Sequence, residues 1–258
     1  MADQLKKPII ETKDLTIRFG GHVAVNKVSL QVEPRRLKSI IGPNGAGKTT
    51  LFNLLTGQYK PSEGRVFLKG NDVTALSPAK RTRLGMGRSF QLTNIFPFLS
   101  VLENVRIAIQ SRQGLGLNFW RNFLHFPALE DEAYEILKDV LLENKWAVPA
   151  SALTHGEQRK LEIAILLGLK PEILLLDEPT AGMSQEEVPA ILEILEQIKS
   201  SRERTMLLVE HKMDMVMALS DNIAVLKDGR MIADGDPYEI QDSEAVRAAY
   251  LDGGMKRE

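Results

Sequence analysis

The octapeptide at residues 42–49 reads Gly-Pro-Asn-Gly-Ala-Gly-Lys-Thr, which has the spacing of a phosphate-binding loop. A strand-like run at 37–41 precedes it, and a helix-like run at 50–55 follows it. Glycines let such a loop turn tightly and direct backbone amides at phosphate oxygens, and the positive end of the helix dipole adds to the attraction. This context disfavours a simple glycine-rich turn, so the sequence predicts a nucleotide site.

Two side chains of the loop carry its specific chemistry. Lys48 supplies a positive charge for the β- and γ-phosphates, and Thr49 offers a hydroxyl to a Mg²⁺ ion that bridges them. We therefore expect Lys48 to serve catalysis as well as binding. The residues expected to contact the nucleotide are Gly42, Pro43, Asn44, Gly45, Ala46, Gly47, Lys48, Thr49 and Thr50.

A pair of acids follows a second apolar run, at 173–176. A buried strand that ends in carboxylates delivers them to the edge where α/β sheets hold ligands. We expect Asp177 to hold Mg²⁺ through its outer shell and Glu178 to orient and polarise an attacking water as a general base. Taken alone, the segment could equally be a strand that ends in a polar turn.

The composition narrows the class of protein. The chain has 258 residues, 43% hydrophobic and 26% charged, and a net charge of −1, so no basic excess favours nucleic acid as a partner. We find no apolar run of the 18 or more residues that a spanning helix needs, and the polar start is unlike a secretory signal. The lack of cysteine excludes disulfides and thiolate metal sites and fits a reducing cytoplasm.

The apolar patterns predict an α/β fold of the phosphate-loop NTPase type, with a mixed sheet flanked by helices. Short β-type runs at 15–19 and 28–32 predict an antiparallel β subdomain, and apolar runs at 173–176, 206–209 and 223–226 predict buried parallel strands. A change to helical periodicity after residue 91 predicts an inserted α-helical subdomain. We expect a single domain with a core at 1–91 and 170–258 and a helical subdomain at 92–169.

The segment 153–158 reads Leu-Thr-His-Gly-Glu-Gln. In isolation it predicts a helix start, with Thr154 as the N-cap and Glu157 completing a capping box. Together with the phosphate loop and the acid pair, however, the order of motifs resembles the ATP-binding-cassette family over nearly the whole chain. The signature of that family, LSGGQ, is matched here by LTHGEQ, with His155 and Glu157 as departures.

The resemblance implies a head-to-tail dimer that encloses two MgATP, with the signature of one subunit reading the nucleotide of the other. Thr154, Gly156 and Glu157 are then nucleotide contacts. The loop at 181–184 takes the place of the dimer loop, with Ser184 where the family usually has aspartate.

Three further positions match the family one by one. The resemblance implies that Phe19 stacks on adenine, although its sequence context also fits a core residue. It implies that Gln91 senses Mg²⁺ and the attacking water, where a solvated loop residue is the alternative, and that His211 contacts the γ-phosphate.

Several phrases are similar to the ATPases of branched-chain amino acid importers: residues 88–91, 119–121, 181–183 and 245–251. The resemblance implies a second ATPase, identical or paralogous, two membrane permeases and an external solute-binding protein. It also implies a cytoplasmic location at the inner face of the cell membrane. Residues 92–99 are then near the permease, although their aromatic residues could equally belong to a buried subdomain core. Residue His155 and the phrase at 181–183 also resemble the urea and short-chain amide branch.

Two other classes remain open at this stage. One is a soluble cassette ATPase of DNA repair or translation, although such proteins usually carry two cassettes or a long coiled coil. The other is a regulatory module that binds nucleotide without hydrolysing it, which the altered signature and Ser184 favour but Glu178 and His211 oppose.

Overall fold

Two units make up the part of the chain that the computed structural model describes, residues 7–89, 95–114 and 127–253. The first comprises Met1–Met86, Glu172–Glu178 and Ile198–Glu258, and the second comprises Gly87–Pro171 and Pro179–Gln197. The segment after the acid pair groups with the second unit, whereas the sequence pattern assigns it to the core. Our predicted division at 92–169 stays a prediction.

The described elements begin with four strands, and strands and helices alternate between residues 173 and 227, as expected of an α/β core. In chain order, the strands are β1 (Ile10–Phe19), β2 (His22–Val28), β3 (Gln31–Val32), β4 (Leu37–Ile41), β5 (Glu63–Leu68), β6 (Asn71–Asp72), β7 (Met86–Arg88), β8 (Ile173–Asp177), β9 (Thr205–Val209), β10 (Asn222–Lys227) and β11 (Arg230–Gly235). The helices are α1 (Lys48–Thr56), α2 (Pro78–Arg83), α3 (Val101–Arg112), α4 (Pro127–Asp139), α5 (His155–Gly168), α6 (Val188–Ser200), α7 (Met213–Leu219), α8 (Pro237–Asp242) and α9 (Glu244–Gly253), with short 3₁₀ turns at Glu143–Lys145 and Ala150–Ala152.

The larger sheet has the strand order β11-β10-β4-β9-β8-β7. Strands β10, β4, β9 and β8 run parallel, and β11 pairs antiparallel with β10. Every residue of β4, β8 and β9 is buried. This explains why β8 and β9 are almost entirely apolar rather than alternating, while β4 also buries the polar residues Lys38 and Ser39. The predicted mixed sheet is confirmed.

A second sheet has the order β2-β1-β5-β6, with β3 also paired to β1, and these pairs are antiparallel. The predicted antiparallel β subdomain is therefore confirmed. The prediction of one strand over 28–32 is wrong, because Val28 ends β2 while Gln31–Val32 form β3 at the other end of β1. Both segments pair with β1, but at different positions along it. An alternating sequence pattern does not reveal the break between two such strands.

The carboxyl end of α1 is fixed by Arg81, which is only 1% exposed. Its guanidinium donates to the carbonyl oxygens of Leu54 at 2.7 Å and Leu55 at 2.6 Å. These are acceptors that a helix leaves unpaired in its last turn. Burial lowers the pKa of Arg81, against the opposing charge of Asp72. The helix that follows the phosphate loop is thus anchored at its far end.

The second unit contains α3, α4 and α5, which pack on one another. Arg112 at the end of α3 donates to both carboxylate oxygens of Glu132 on α4, at 2.8 and 3.0 Å, and to the carbonyl of Gly168 at 2.8 Å. Lys170 pairs with the same carboxylate at 2.6 Å. These contacts join the three helices at one end.

Within the described residues, we find no helix whose length and apolarity would let it span a membrane. The predicted site residue Gln91 and the phrase at 119–121 lie outside the described residues.

Candidate active site

The phosphate loop joins β4 to α1 through backbone that only glycine fits at two positions. Gly42 has φ 149° and Gly47 has φ 98°. A Cβ atom at Gly42 would lie 2.1 Å from the carbonyl oxygen of Leu226, and one at Gly47 would lie 2.4 Å from that of Ala24. Both glycines are therefore required by positive φ and by close approach of neighbouring backbone.

Helix α1 begins without a side-chain cap from the described residues, since its N-cap is Gly47. The first amides of a helix have no partner within the helix itself. Together with the dipole they form an anion site. The local chain thus presents backbone donors where the sequence predicts phosphate.

Lys48 lies in the first turn of α1 and is 5% exposed. Its Nζ donates to the carbonyl oxygens of Gly42 at 2.8 Å and Pro43 at 3.0 Å. Burial lowers the pKa of Lys48, while the charges of Glu178 and Asp177 oppose the shift. The lysine ammonium is therefore hydrogen-bonded to two neutral carbonyl groups of the loop. The negative charges of Asp177 and Glu178 favour its protonated form.

The acid pair stands at the carboxyl end of β8. Asp177 is 2% exposed and pairs in register with Val209 of β9. Glu178 has φ 49°, and its N–H donates to the carbonyl of Val209 at 2.9 Å. A left-handed conformation at a residue other than glycine costs about 1–3 kcal/mol and is concentrated at functional sites. The strain here falls on the predicted general base.

His211 contacts that base directly, since its Nε2 lies 2.7 Å from Oε1 of Glu178. The backbone of His211 is fixed by the buried Glu210, whose Oε2 accepts from the N–H of His211 at 2.8 Å and of Lys212 at 3.3 Å. Sequence reasoning missed Glu210. An acid directly after a buried apolar strand, here β9, is the signal that could have identified it.

The residues predicted to bind magnesium have a suitable chemistry. Thr49 and Asp177 offer hydroxyl and carboxylate oxygens, the ligand type that Mg²⁺ prefers. Among the described residues, no group of three or more His, Cys, Asp or Glu side chains could hold a metal by itself. Mg²⁺ commonly takes one or two protein ligands and completes its shell with water and substrate phosphates, so this sparse set fits.

Phe19 ends β1 at the hairpin to β2, and it is 47% exposed. Its ring packs edge-to-face against Tyr59, with 5.4 Å between ring centres. The alternative of a core phenylalanine is therefore wrong. Tyr59, which sequence reasoning did not single out, is 40% exposed and supports the same ring.

The start of α5 contains the capping box that the sequence predicts. Thr154 Oγ1 accepts from the N–H of Glu157 at 3.3 Å, and Glu157 Oε2 accepts from the N–H of Thr154 at 3.0 Å. Burial favours a raised pKa for Glu157, but its ion pair with Lys145 and the Thr154 amide lower the pKa overall. The nucleotide contacts of Thr154, Gly156 and Glu157 stay predictions.

Comparison with known proteins connects this geometry to a family. The family described as "ABC transporter" matches residues 25–181. The chain is 41% identical to the high-affinity branched-chain amino acid transport ATP-binding protein BraF of Pseudomonas aeruginosa, covering 96% of this chain and 99% of that protein. It is 37% identical to the corresponding protein LivG of Escherichia coli, with the same two coverages.

Solved structures agree with these relatives. An ATP-binding cassette of an ABC transporter in its ADP conformation superposes with a TM-score of 0.81 and 28% identity, covering 95% of this chain and 98% of that one. A dimeric cassette in a post-hydrolysis state, bound to ADP and Pi, gives a TM-score of 0.75 and 26% identity over 88% of this chain and 98% of that one. The chain therefore belongs to the ABC transporter family and is one of its ATP-hydrolysing cassettes.

Proposed function

We propose that this chain is the ATP-hydrolysing subunit of an importer that takes up branched-chain amino acids or closely related solutes. The observation that carries the proposal is the pairing of Glu178 with His211 at the end of β8, in the same unit as the phosphate loop. The names of the relatives BraF and LivG supply the cargo class.

Binding begins at the phosphate loop. The amides at the start of α1 and the Lys48 ammonium bind the triphosphate, and the lysine exchanges its two carbonyl partners for phosphate oxygens. Charge-assisted hydrogen bonds are stronger than those to neutral acceptors, which favours this exchange. Phe19, exposed beside Tyr59, stacks on the adenine.

Hydrolysis uses the acid pair. Glu178 accepts a hydrogen bond from the attacking water, orients it and takes up its proton, while Lys48 stabilises charge on the γ-phosphoryl group. His211, placed by Glu210, contacts Glu178 through Nε2 and lies where it would contact the γ-phosphate. Thr49, Asp177 and Gln91 are the residues that would hold or sense Mg²⁺, which when bound neutralises phosphate charge.

The assembly follows from the family. We place the chain on the cytoplasmic face of the membrane, paired with a second ATPase and with two permeases that an external binding protein supplies. The exposed Phe96 and Phe98, 53% and 91% accessible, support a permease contact in the second unit, because large exposed apolar side chains in one place mark interaction surfaces. No nucleic acid is part of this proposal.

Transport by the whole importer tests the proposal. The chain is co-expressed with its second ATPase and permeases, reconstituted in vesicles, and assayed for ATP-dependent uptake of leucine with the binding protein present. We expect leucine uptake that stops when Lys48→Ala replaces the native chain. Uptake of urea or acetamide instead of leucine would assign the chain to the urea and short-chain amide branch. An ATP hydrolysis rate that does not change when the permeases are present would favour a cassette ATPase without a transport role.

A further inference from the structure

Glu187 links the loop at 181–184 to the start of α5 in the second unit. Its Oε2 accepts hydrogen bonds from the backbone N–H and the hydroxyl of Ser184, both at 3.1 Å. Its Oε1 accepts from the N–H of Gly156, in the first turn of α5, at 3.2 Å. One carboxylate therefore bridges the signature segment and the loop at 181–184.

The approach of this carboxylate to α5 depends on the absence of a side chain at Gly156. A Cβ atom there would lie 2.5 Å from Oε1 and 2.8 Å from Cδ of Glu187. The φ of Gly156 is not positive, so no backbone strain requires glycine at this position. The contact with Glu187 is the feature of the described structure that a larger residue would disrupt.

The carboxylate is kept ionised. The Ser184 N–H lowers the pKa of Glu187, burial opposes this, and the Ser184 hydroxyl, the Gly156 amide and the charge of His155 add to the lowering. A negative group at the N-terminus of a helix is favoured by the dipole and by the unpaired amides. The Gly156 N–H therefore donates to the Glu187 carboxylate, although an amide in this position could also donate to a phosphate.

We propose that Glu187 is a positioning residue of the dimeric ATP site, and that the γ-phosphate on the partner subunit must displace its carboxylate from the Gly156 amide when the dimer closes. This inference rests on the proposed function, in which Gly156 belongs to the signature that reads the nucleotide of the other subunit. Because the second oxygen stays on Ser184, the exchange releases α5 from the loop at 181–184. Binding of the nucleotide at α5 is thereby coupled to movement of the loop at 181–184.

The test measures how much ATP is needed to form the dimer. All variants carry Glu178→Gln, which is expected to retain bound ATP, and sedimentation velocity follows dimer formation against MgATP, for the chain alone and mixed with its second ATPase. We expect Glu187→Gln to lower the half-maximal ATP concentration by about fivefold or more, the lower end of ordinary coupling between sites. The neutral amide is a weaker acceptor and is displaced more easily.

Glu186→Gln is the matched control, since it removes the same charge from the exposed neighbouring residue and leaves the bridge intact. Ser184→Ala is the second variant, because it removes one of the three hydrogen bonds to Glu187, and it should lower the ATP requirement by a smaller factor. Thermal unfolding of each variant checks that the fold is retained.

The direction of the change separates the outcomes. A structural role alone would weaken dimer formation, so an unchanged or raised ATP requirement in Glu187→Gln would overturn the inference while leaving the proposed function intact. Equal effects of Glu186→Gln and Glu187→Gln would also overturn it. If the chain with native Glu187 binds ATP but does not dimerise, either alone or with its second ATPase, the proposed dimeric ATP site is wrong. The inference about Glu187 is then wrong as well.

Discussion

Two helices in this protein begin at predicted phosphate contacts, α1 in the first unit and α5 in the second. They differ in whether side chains accept hydrogen bonds from their first backbone amides. Helix α1 starts from Gly47, without a side-chain cap from the described residues. Helix α5 starts from Thr154, and its early amides bond to the chain's own oxygens on Thr154 and Glu187.

The charged side chains near the two helix starts also have opposite signs. Lys48 brings an ammonium into the first turn of α1, whereas Glu157 and Glu187 bring carboxylates to the start of α5. A helix N-terminus attracts anions in both cases. The amides at the start of α1 have no side-chain partner among the described residues, whereas those of α5 already bond to oxygens of the protein. In our proposal, a phosphate can bind directly at α1 but must first displace the Glu187 carboxylate at α5.

The largest expected effect falls on hydrolysis at the first helix start. Replacement of the base by Glu178→Gln should lower the rate of phosphate release by about 10²–10⁴-fold, the usual contribution of a general base. ATP binding should persist, because the loop amides and Lys48 are untouched. Phosphate release and equilibrium ATP binding, measured on the same preparation, check both parts.

Lys48→Ala provides the contrast, because it should lose ATP binding as well as turnover. Full turnover by Glu178→Gln would remove this residue from the chemistry and leave the first helix start as a binding site alone.

A smaller effect distinguishes two glycines of the phosphate loop. Gly47→Ala places a methyl group 2.4 Å from the Ala24 carbonyl at φ 98°, whereas Gly45→Ala at φ 81° meets open space. Gly45→Ala should therefore cost only the left-handed conformation, about 1–2 kcal/mol, and Gly47→Ala should cost more. Urea unfolding with and without ATP measures both; equal losses would show that the loop moves away from β2 without penalty.

The smallest effect concerns stability in the second unit and its pH dependence. The hydrogen bonds from Arg112 lower the pKa of Glu132, against the opposing effect of burial, and Lys170 lowers it further. Since the folded pKa is depressed, the carboxylate stabilises the fold above its unfolded pKa of about 4.3, and this is lost as pH falls through the folded value.

Glu132→Gln should accordingly reduce the free energy of unfolding by about 1 kcal/mol at pH 7, and the difference should disappear near pH 3. Urea unfolding at the two pH values measures it. Glu130→Gln, in the first turn of the same helix, is the control. A loss that persists at pH 3 would mean that packing, rather than charge, gives Glu132 its effect.

The sequence alone determined the phosphate loop, the acid pair, the buried parallel strands and the cap at Thr154. Each of these is a local pattern: glycine at fixed spacing, an apolar run that ends in acids, or a hydroxyl three residues before a glutamate. Local patterns are readable because backbone geometry within one turn or one strand fixes which residue types fit.

Contacts between residues from distant segments appear only once the chain is folded. It brought Glu210 to the amide of His211, placed Phe19 against Tyr59, and joined Glu187 to Gly156. The last two contacts cross 40 and 31 positions of the sequence. Such contacts depend on how strands and helices pack rather than on spacing along the chain, and so the anion that occupies the start of α5 became visible only in the folded molecule.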